Sequence, residues 1–360
     1  MKGEIFKVRI NSLRRNLSLS KTRAFISFYS KDIRFLSGFN SSNVCCLLTR
    51  DEFIIITDGR YKEEANSIKN IANIFIADKS LVKALSEIIK NHILKEVLLQ
   101  TEKHSIKTFN ELVEIFGKRR IKCREKLIDQ FISSHDTFGI ESIKKAVRIA
   151  EKSFLEIIPE IKEGITEIDL QAELRYRLNK NGSEDESFPP IVIFGKRTSL
   201  PHGKSSIGRL KKNSPILIDW GAVVNGYNSD LTRNIFFGIP TERYIQIHEI
   251  VRRANEMSIN LLRSGTNVRV IHKKVVQYFE KYKVEKYFVH GLGHGLGLEL
   301  HSYPRISVNS DDKLMKDQIV TIEPGLYLPS KFGVRIEDDI LIKAKKVEPF
   351  STLPRELIIL

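Results

Sequence analysis

Through the first third of the chain, short β-branched and apolar runs alternate with amphipathic stretches. Residues 23–29, 44–48 and 53–58 read as strands, and 61–69 and 81–93 as helices. Shorter strands are predicted at 74–76 and 97–100, with a further helix at 107–116. The pattern then changes. Ile140, Ile143, Val147, Ala150, Phe154 and Ile157 recur at spacings of three and four, which gives a long helix one apolar face. Thr166 stands three residues before Asp169 in a capping-box position, and Asn181-Gly182 closes the helix that follows. Strands are predicted to dominate 191–237, then helices at 242–262 and 268–282, then two final strands at 318–326 and 333–342. The second part lacks a βαβ rhythm, so an α+β layer of antiparallel strands is expected after an α/β amino-terminal domain. We place the domains at 1–128 and 129–360.

A length of 360 residues fits two cores better than one, and 41% hydrophobic with 29% charged residues excludes a fibrous or largely disordered chain. No apolar run approaches the roughly 20 residues that cross a bilayer, and residues 1–16 are too interrupted by Lys and Arg for a signal peptide. A cytoplasmic protein without membrane partners is the expectation. Cys45, Cys46 and Cys123 have no metal or disulfide spacing and read as buried thiols. Of the net charge of +15, much lies early, with 25 Lys and Arg against 15 Asp and Glu in residues 1–130. The one dense basic cluster, 118–124, has no aromatic residues for stacking bases, so it reads as a solvated face and nucleic acid is not expected.

The candidate chemistry lies in the second part. Asp219 and Asp230 flank Asn225-Gly226, a strong hairpin signal. A two-residue loop there sets Thr232 opposite Asp219 and Gly221 opposite Asp230, leaving the two carboxylates as diagonal neighbours on one face. By themselves, two acids on a hairpin are more often a solvated face. Glu323 and Glu337 lie at equal parity on the two final strands, in segments apolar enough to be buried, where a carboxylate needs a compensating charge. Two salt bridges would supply it. His202, His290, His294 and His301 also fall here, within or beside glycine-rich chain where backbone must approach something closely. His92, His104, His135, His248 and His272 lack such a setting and read as ordinary histidines. Four carboxylates and an imidazole form an oxygen-rich set able to hold two divalent cations, Mn2+ first, with Co2+, Fe2+ or Zn2+ also suited.

Five segments carry a resemblance: SLPHGK at 199–204, LIDWGAVVNGYNSDLTRN at 217–234, HGLGHGLGLELH at 290–301, VTIEPGLY at 320–327 and GVRIEDDILI at 333–342. With these the chain resembles the pita-bread metallopeptidases, which include aminopeptidase P, prolidase and methionine aminopeptidase. Residues 35–65 are similar to the creatinase-like amino-terminal domain of proline-specific members. The resemblance implies metal ligands Asp219, Asp230, His294, Glu323 and Glu337, with Asp230 and Glu337 bridging. It assigns His290 and His301 to hydrogen bonds with substrate and transition state, His202 to the substrate pocket, Glu323 to proton transfer, and Arg335 to support beside the site. Arg335 also reads as a plain ion-pair partner. Ser302 and Asn234 stand where many relatives carry an acid and a threonine.

The activity so implied is Xaa-Pro aminopeptidase. A water shared by two cations loses its proton near neutral pH and attacks the bond between an amino-terminal residue and a following proline, a tertiary amide without an N–H. Xaa-Pro dipeptidase (prolidase) is the alternative, and an inactive pita-bread binding module a remote one. Relatives imply a homodimer whose first domain borders the mouth of the site and limits substrate size.

Overall fold

The computed structural model describes residues 2–360 and divides them into two compact units, the first ending at Ile132 and the second Ser133–Leu360. No helix among the described residues is long and apolar enough to cross a membrane.

The first unit is built on six strands: β1 (Arg23–Ser27), β2 (Val44–Leu48), β3 (Phe53–Asp58), β4 (Asn73–Ala77), β5 (Glu96–Gln100) and β6 (Ile121–Arg124). Their order is β4-β3-β2-β1-β5-β6, antiparallel between β1, β2 and β3 and parallel elsewhere. Helices Leu81–Ile89 and Ile106–Phe116 contribute Leu85, Leu112 and Phe116 to the core beneath Ile26, Leu47, Ile56 and Leu99. Two helices of eight residues or more went unrecognised in the sequence, Lys2–Asn16 and Ser30–Ser37. The first buries Phe6, Ile10 and Leu13, a helical spacing hidden among interleaved lysines and arginines. Cys45 and Cys46 are buried, but Cys123 is exposed because β6 is an edge strand, which corrects the reading of three buried thiols. Lys118, Arg119, Arg120, Lys122 and Arg124 all face solvent.

The second unit opens with helix Thr137–Ile157, which buries Ile143, Val147, Ala150 and Phe154. Phe154 stacks on Trp220 with ring centroids 4.6 Å apart. Thr166 caps helix Glu167–Lys180 by accepting the Asp169 N–H at 3.1 Å, and Gly182 turns the chain away at φ +96°. The strands follow as β7 (Ile191–Phe194), β8 (Ser214–Trp220), β9 (Val223–Val224), β10 (Tyr227–Asn228) and β11 (Leu231–Phe237), then β12 (Gly293–Gly295), β13 (Ser302–Ile306), β14 (Ile319–Ile322), β15 (Gly325–Leu328), β16 (Phe332–Arg335), β17 (Asp338–Ile342), β18 (Val347–Pro349) and β19 (Ile358–Ile359). One sheet runs β19-β11-β8-β7 and another β13-β12-β14-β17-β18; β9-β10 and β15-β16 are separate ribbons. All pairs are antiparallel except β11 with β19. Helices Glu242–Leu261 and Val268–Glu280 cover the second sheet through Ile247, Val251, Ile271 and Val275, packed with Val320, Ile322 and Ile340.

Two expectations need correcting. Residues 195–213 hold a 3-10 turn and irregular chain in place of strand. The final two strands are four, because Pro324 offers no N–H to a ladder and both partners break beside it. The register is nevertheless kept across the break: Ile322 pairs with Asp338 and Gly325 with Arg335, so Glu323 falls opposite Glu337.

Candidate metal centre

The hairpin signal produces the register it predicts. Asn225 and Gly226 take φ of 52° and 80°, as a two-residue turn with positive φ at both positions requires, and Thr232 lies opposite Asp219. Glu184 fixes the turn by accepting both its N–H groups, at 2.6 and 3.0 Å. Gly221 is required by close backbone approach: a Cβ there would collide with the Ser229 carbonyl and with Ser187.

At the break beside Pro324, the freed N–H groups turn to new partners. Glu323 donates to the Leu292 carbonyl at 2.9 Å and Glu337 to that of Thr232 at 3.2 Å. Glu323 is thereby tied to the histidine-rich segment and Glu337 to the Asp219–Asp230 hairpin. Close backbone approach accounts for two glycines of that segment, since a Cβ on Gly293 would strike the Thr321 carbonyl and one on Gly295 the Tyr303 carbonyl.

His294 sits between them, its Nδ1 at 3.0 Å from the Gly295 carbonyl. A proton on Nδ1 satisfies that carbonyl and leaves the Nε2 lone pair free to bind a metal. Nε2 faces Asp230 Oδ2 at 3.6 Å and Glu323 Oε1 at 3.8 Å. These distances are too long for hydrogen bonds and suit separate ligands of one ion. One ligand atom each from Asp230, His294 and Glu337 lie mutually within 4.8 Å.

Without a cation this cluster resists ionisation. Burial, reinforced by neighbouring carboxylates, holds Asp230 and Glu337 well above the carboxylate range. Burial also raises Asp219, against the pull of Arg335, and pushes Glu323 up to about 8. Burial, with His301 adding to it, takes His294 down to about 3. Asp219 Oδ1 is buried without a partner. Four acids and an imidazole lone pair, unable to neutralise one another, fit a pair of divalent cations and do not fit two salt bridges.

Arg335 is buried and donates to Asp219 Oδ2, to Thr232 Oγ1 at 3.0 Å, to the Tyr327 hydroxyl at 2.7 Å and to the Pro201 carbonyl at 3.1 Å. It is therefore an ion-pair partner and a support of the site at once. His290 lies between the Gly291 carbonyl at Nδ1 (2.7 Å) and the Tyr327 hydroxyl at Nε2 (3.0 Å), with Nδ1 3.8 Å from Glu323 Oε2. Burial brings its pKa down to about 4. His301 is exposed and sets its ring edge-on to His294 at 4.4 Å, and His202 is exposed on loop 195–208.

Four further side chains surround the site, and of these the sequence singles out only Thr232, as the residue opposite Asp219. Thr232 and Tyr327 are hydroxyl partners of Glu337 and Arg335, and Asp339 accepts the Asp230 N–H at 2.9 Å. Arg305, exposed on β13, is the cross-strand partner of His294, and its charge helps keep both His294 and His301 below the usual imidazole range. Tyr327 and Asp339 stand inside the quoted motifs; for Arg305 the only available signal was its position four residues after His301.

The fold and this site together define a metallopeptidase. Residues 141–344 match metallopeptidase family M24 and residues 9–131 match the creatinase/prolidase N-terminal domain. The chain belongs to metallopeptidase family M24, with a pita-bread α+β catalytic domain preceded by a creatinase-like one. An Xaa-Pro dipeptidase of Pyrococcus furiosus is 36% identical over 258 residues, 71% of this chain and 70% of the relative. The crystal structure of an X-Pro aminopeptidase from Thermotoga maritima superposes with a TM-score of 0.89 at 31% identity, covering 96% of this chain and all of that one. An Xaa-Pro dipeptidase from Bacillus anthracis gives 0.92 at 27% identity over 99% and 100% of the two chains.

Proposed function

We propose that the protein is an Xaa-Pro dipeptidase, a prolidase, using two divalent cations with Mn2+ as the first choice for so oxygen-rich a site. This replaces the aminopeptidase expectation. The 36% identity to the Pyrococcus furiosus dipeptidase carries the reading, and Arg305 supports it: an exposed guanidinium beside His294 and His301 suits the free carboxylate of a terminal proline. The Thermotoga maritima structure favours the aminopeptidase as a second reading.

Cations held by Asp219, Asp230, His294, Glu323 and Glu337 would acidify a water and offset charge on the scissile carbonyl oxygen. Glu323 accepts the water's proton. Its Oε2, the oxygen turned towards His290, is placed to carry that proton to the proline nitrogen, which must be protonated before it leaves. His301 donates a hydrogen bond to the substrate, and a neutral imidazole is what its lowered pKa provides. Neutral His290 gives its one N–H to the Gly291 carbonyl and accepts from the Tyr327 hydroxyl at Nε2, so it lines the pocket as a fixed wall beside Glu323. Metal-stripped enzyme resupplied with Mn2+ is tested on an Xaa-Pro dipeptide and an Xaa-Pro-Xaa tripeptide. The dipeptide should be cleaved and the tripeptide spared, and Arg305→Ala should raise the KM for the dipeptide. Preference for the tripeptide would establish the aminopeptidase instead.

A further inference from the structure

Loop 195–208 carries His202 yet has only one 3-10 turn, Gly195–Ser199, of regular structure. One carboxylate gathers both its stems. Glu167, the first residue of helix Glu167–Lys180, is fully buried. Its Oε1 accepts the Phe194 N–H at 2.9 Å, and its Oε2 accepts the Ser206 N–H at 2.8 Å and the Ser206 hydroxyl at 2.6 Å. Arg197 Nε donates to both oxygens at 3.1 Å, while its NH2 crosses the loop to the Lys204 carbonyl at 2.5 Å. The Glu167 N–H adds a bond to the Gly208 carbonyl at 3.0 Å. The far side of the loop is tied to the site itself, through Thr198 Oγ1 accepting the Gly333 N–H at 2.9 Å and Arg335 donating to the Pro201 carbonyl at 3.1 Å.

A buried carboxylate is retained where donors satisfy both oxygens, and here those donors come from the two ends of one functional loop. We propose that Glu167 is a positioning residue for His202, clasping the stems of loop 195–208 so that the exposed imidazole is presented to the substrate in a fixed place. The helix N-terminus beneath Glu167 favours its negative charge. The inference rests on the substrate role of His202 and leaves the five candidate metal ligands untouched, so it separates the binding of substrate from the binding of metal.

Glu167→Gln keeps the size of the side chain but turns one acceptor into a donor aimed at donors, which opens one stem. A double-mutant cycle with His202→Ala tests the clasp on full-length, Mn2+-loaded enzyme. Glu167→Gln should raise KM for an Xaa-Pro dipeptide by about tenfold, the scale of one lost hydrogen bond to the substrate, with metal content per chain unchanged. In the His202→Ala background it should add nothing. An unchanged KM in Glu167→Gln, or an effect that adds in full to that of His202→Ala, overturns the proposal. A His202→Ala enzyme with unaltered kinetics overturns it too, by removing the substrate role of His202, and leaves the metallopeptidase assignment standing. Arg197→Met, which loosens the loop without altering the carboxylate, is the second variant should Glu167→Gln fail to fold; it should raise KM in the same direction by less, and an unchanged KM counts against the clasp.

Discussion

Thr232 holds Glu337 at two points: its hydroxyl donates to Glu337 Oε2 at 2.7 Å, and its carbonyl accepts the Glu337 N–H at 3.2 Å. The same hydroxyl accepts from Arg335 Nε at 3.0 Å, linking a candidate ligand to the cation that pairs with Asp219. Thr232→Val preserves the β-branched shape and removes only the hydroxyl. Metal affinity should fall by about tenfold or more, measured by calorimetric titration of Mn2+ into stripped protein; parent-like affinity would show that the backbone bond alone holds Glu337.

His301 lies against His294 without belonging to the set Asp230, His294 and Glu337. His301→Ala should keep its metals and lose rate by about 10²-fold, as when one preorganised transition-state donor is removed. Kinetics together with elemental analysis decide this, and a metal-depleted variant would make His301 a ligand.

Metal binding should release protons. In metal-free protein Glu323 stands near 8, raised by burial against the pull of Arg335. A carboxyl raised in this way favours the folded state fully below its unfolded value of 4.5, and that contribution is lost as pH rises through about 8. Ligation needs the carboxylate, so a cation must displace the proton throughout that window. Apparent Mn2+ affinity should therefore climb as pH rises towards about 8. Calorimetry in buffers of different ionisation enthalpy at pH 6.5 should register net proton release, and an affinity flat across the window would contradict the assigned environment.

Arg233 and Asp338 form a buried pair at 2.6 Å behind the site. Burial alone would raise Asp338; Arg233 and then Arg355 hold it below its ordinary value. Arg233→Met strands much of that charge and should cost about 3–5 kcal/mol. The single tryptophan, Trp220, is buried in the second unit and stacked on Phe154, so its fluorescence during urea unfolding reports that unit directly. An unfolding curve matching that of the parent would remove the pair from the account.

Much of the site was legible where local chemistry decides geometry. Asn225-Gly226 permits one tight turn, which fixes the register and the place of Asp219 and Asp230 on one hairpin. Glu323 and Glu337 were expected on two continuous strands and in fact lie opposite each other in the break between β14 and β15 and between β16 and β17, because Pro324 interrupts the ladder. Helix Lys2–Asn16 was obscured because lysines and arginines are interleaved with its apolar residues, and one of them, Arg9, is itself buried. Arg305 and Glu167 were illegible for another reason. One is defined by a cross-strand neighbour and the other by donors up to 39 residues away, and neither contact has a local pattern.

Asp219, Asp230, His294, Glu323 and Glu337 are the residues proposed to hold the catalytic metals. The most direct measurement is metal stoichiometry and turnover on an Xaa-Pro dipeptide for parent and Asp230→Ala proteins, both stripped and then resupplied with Mn2+. The parent should bind two ions per chain and regain activity, while Asp230→Ala should lose metal and turnover together, because a shared carboxylate no longer screens one cation from the other. An Asp230→Ala protein with two ions per chain and parent turnover would contradict the assignment.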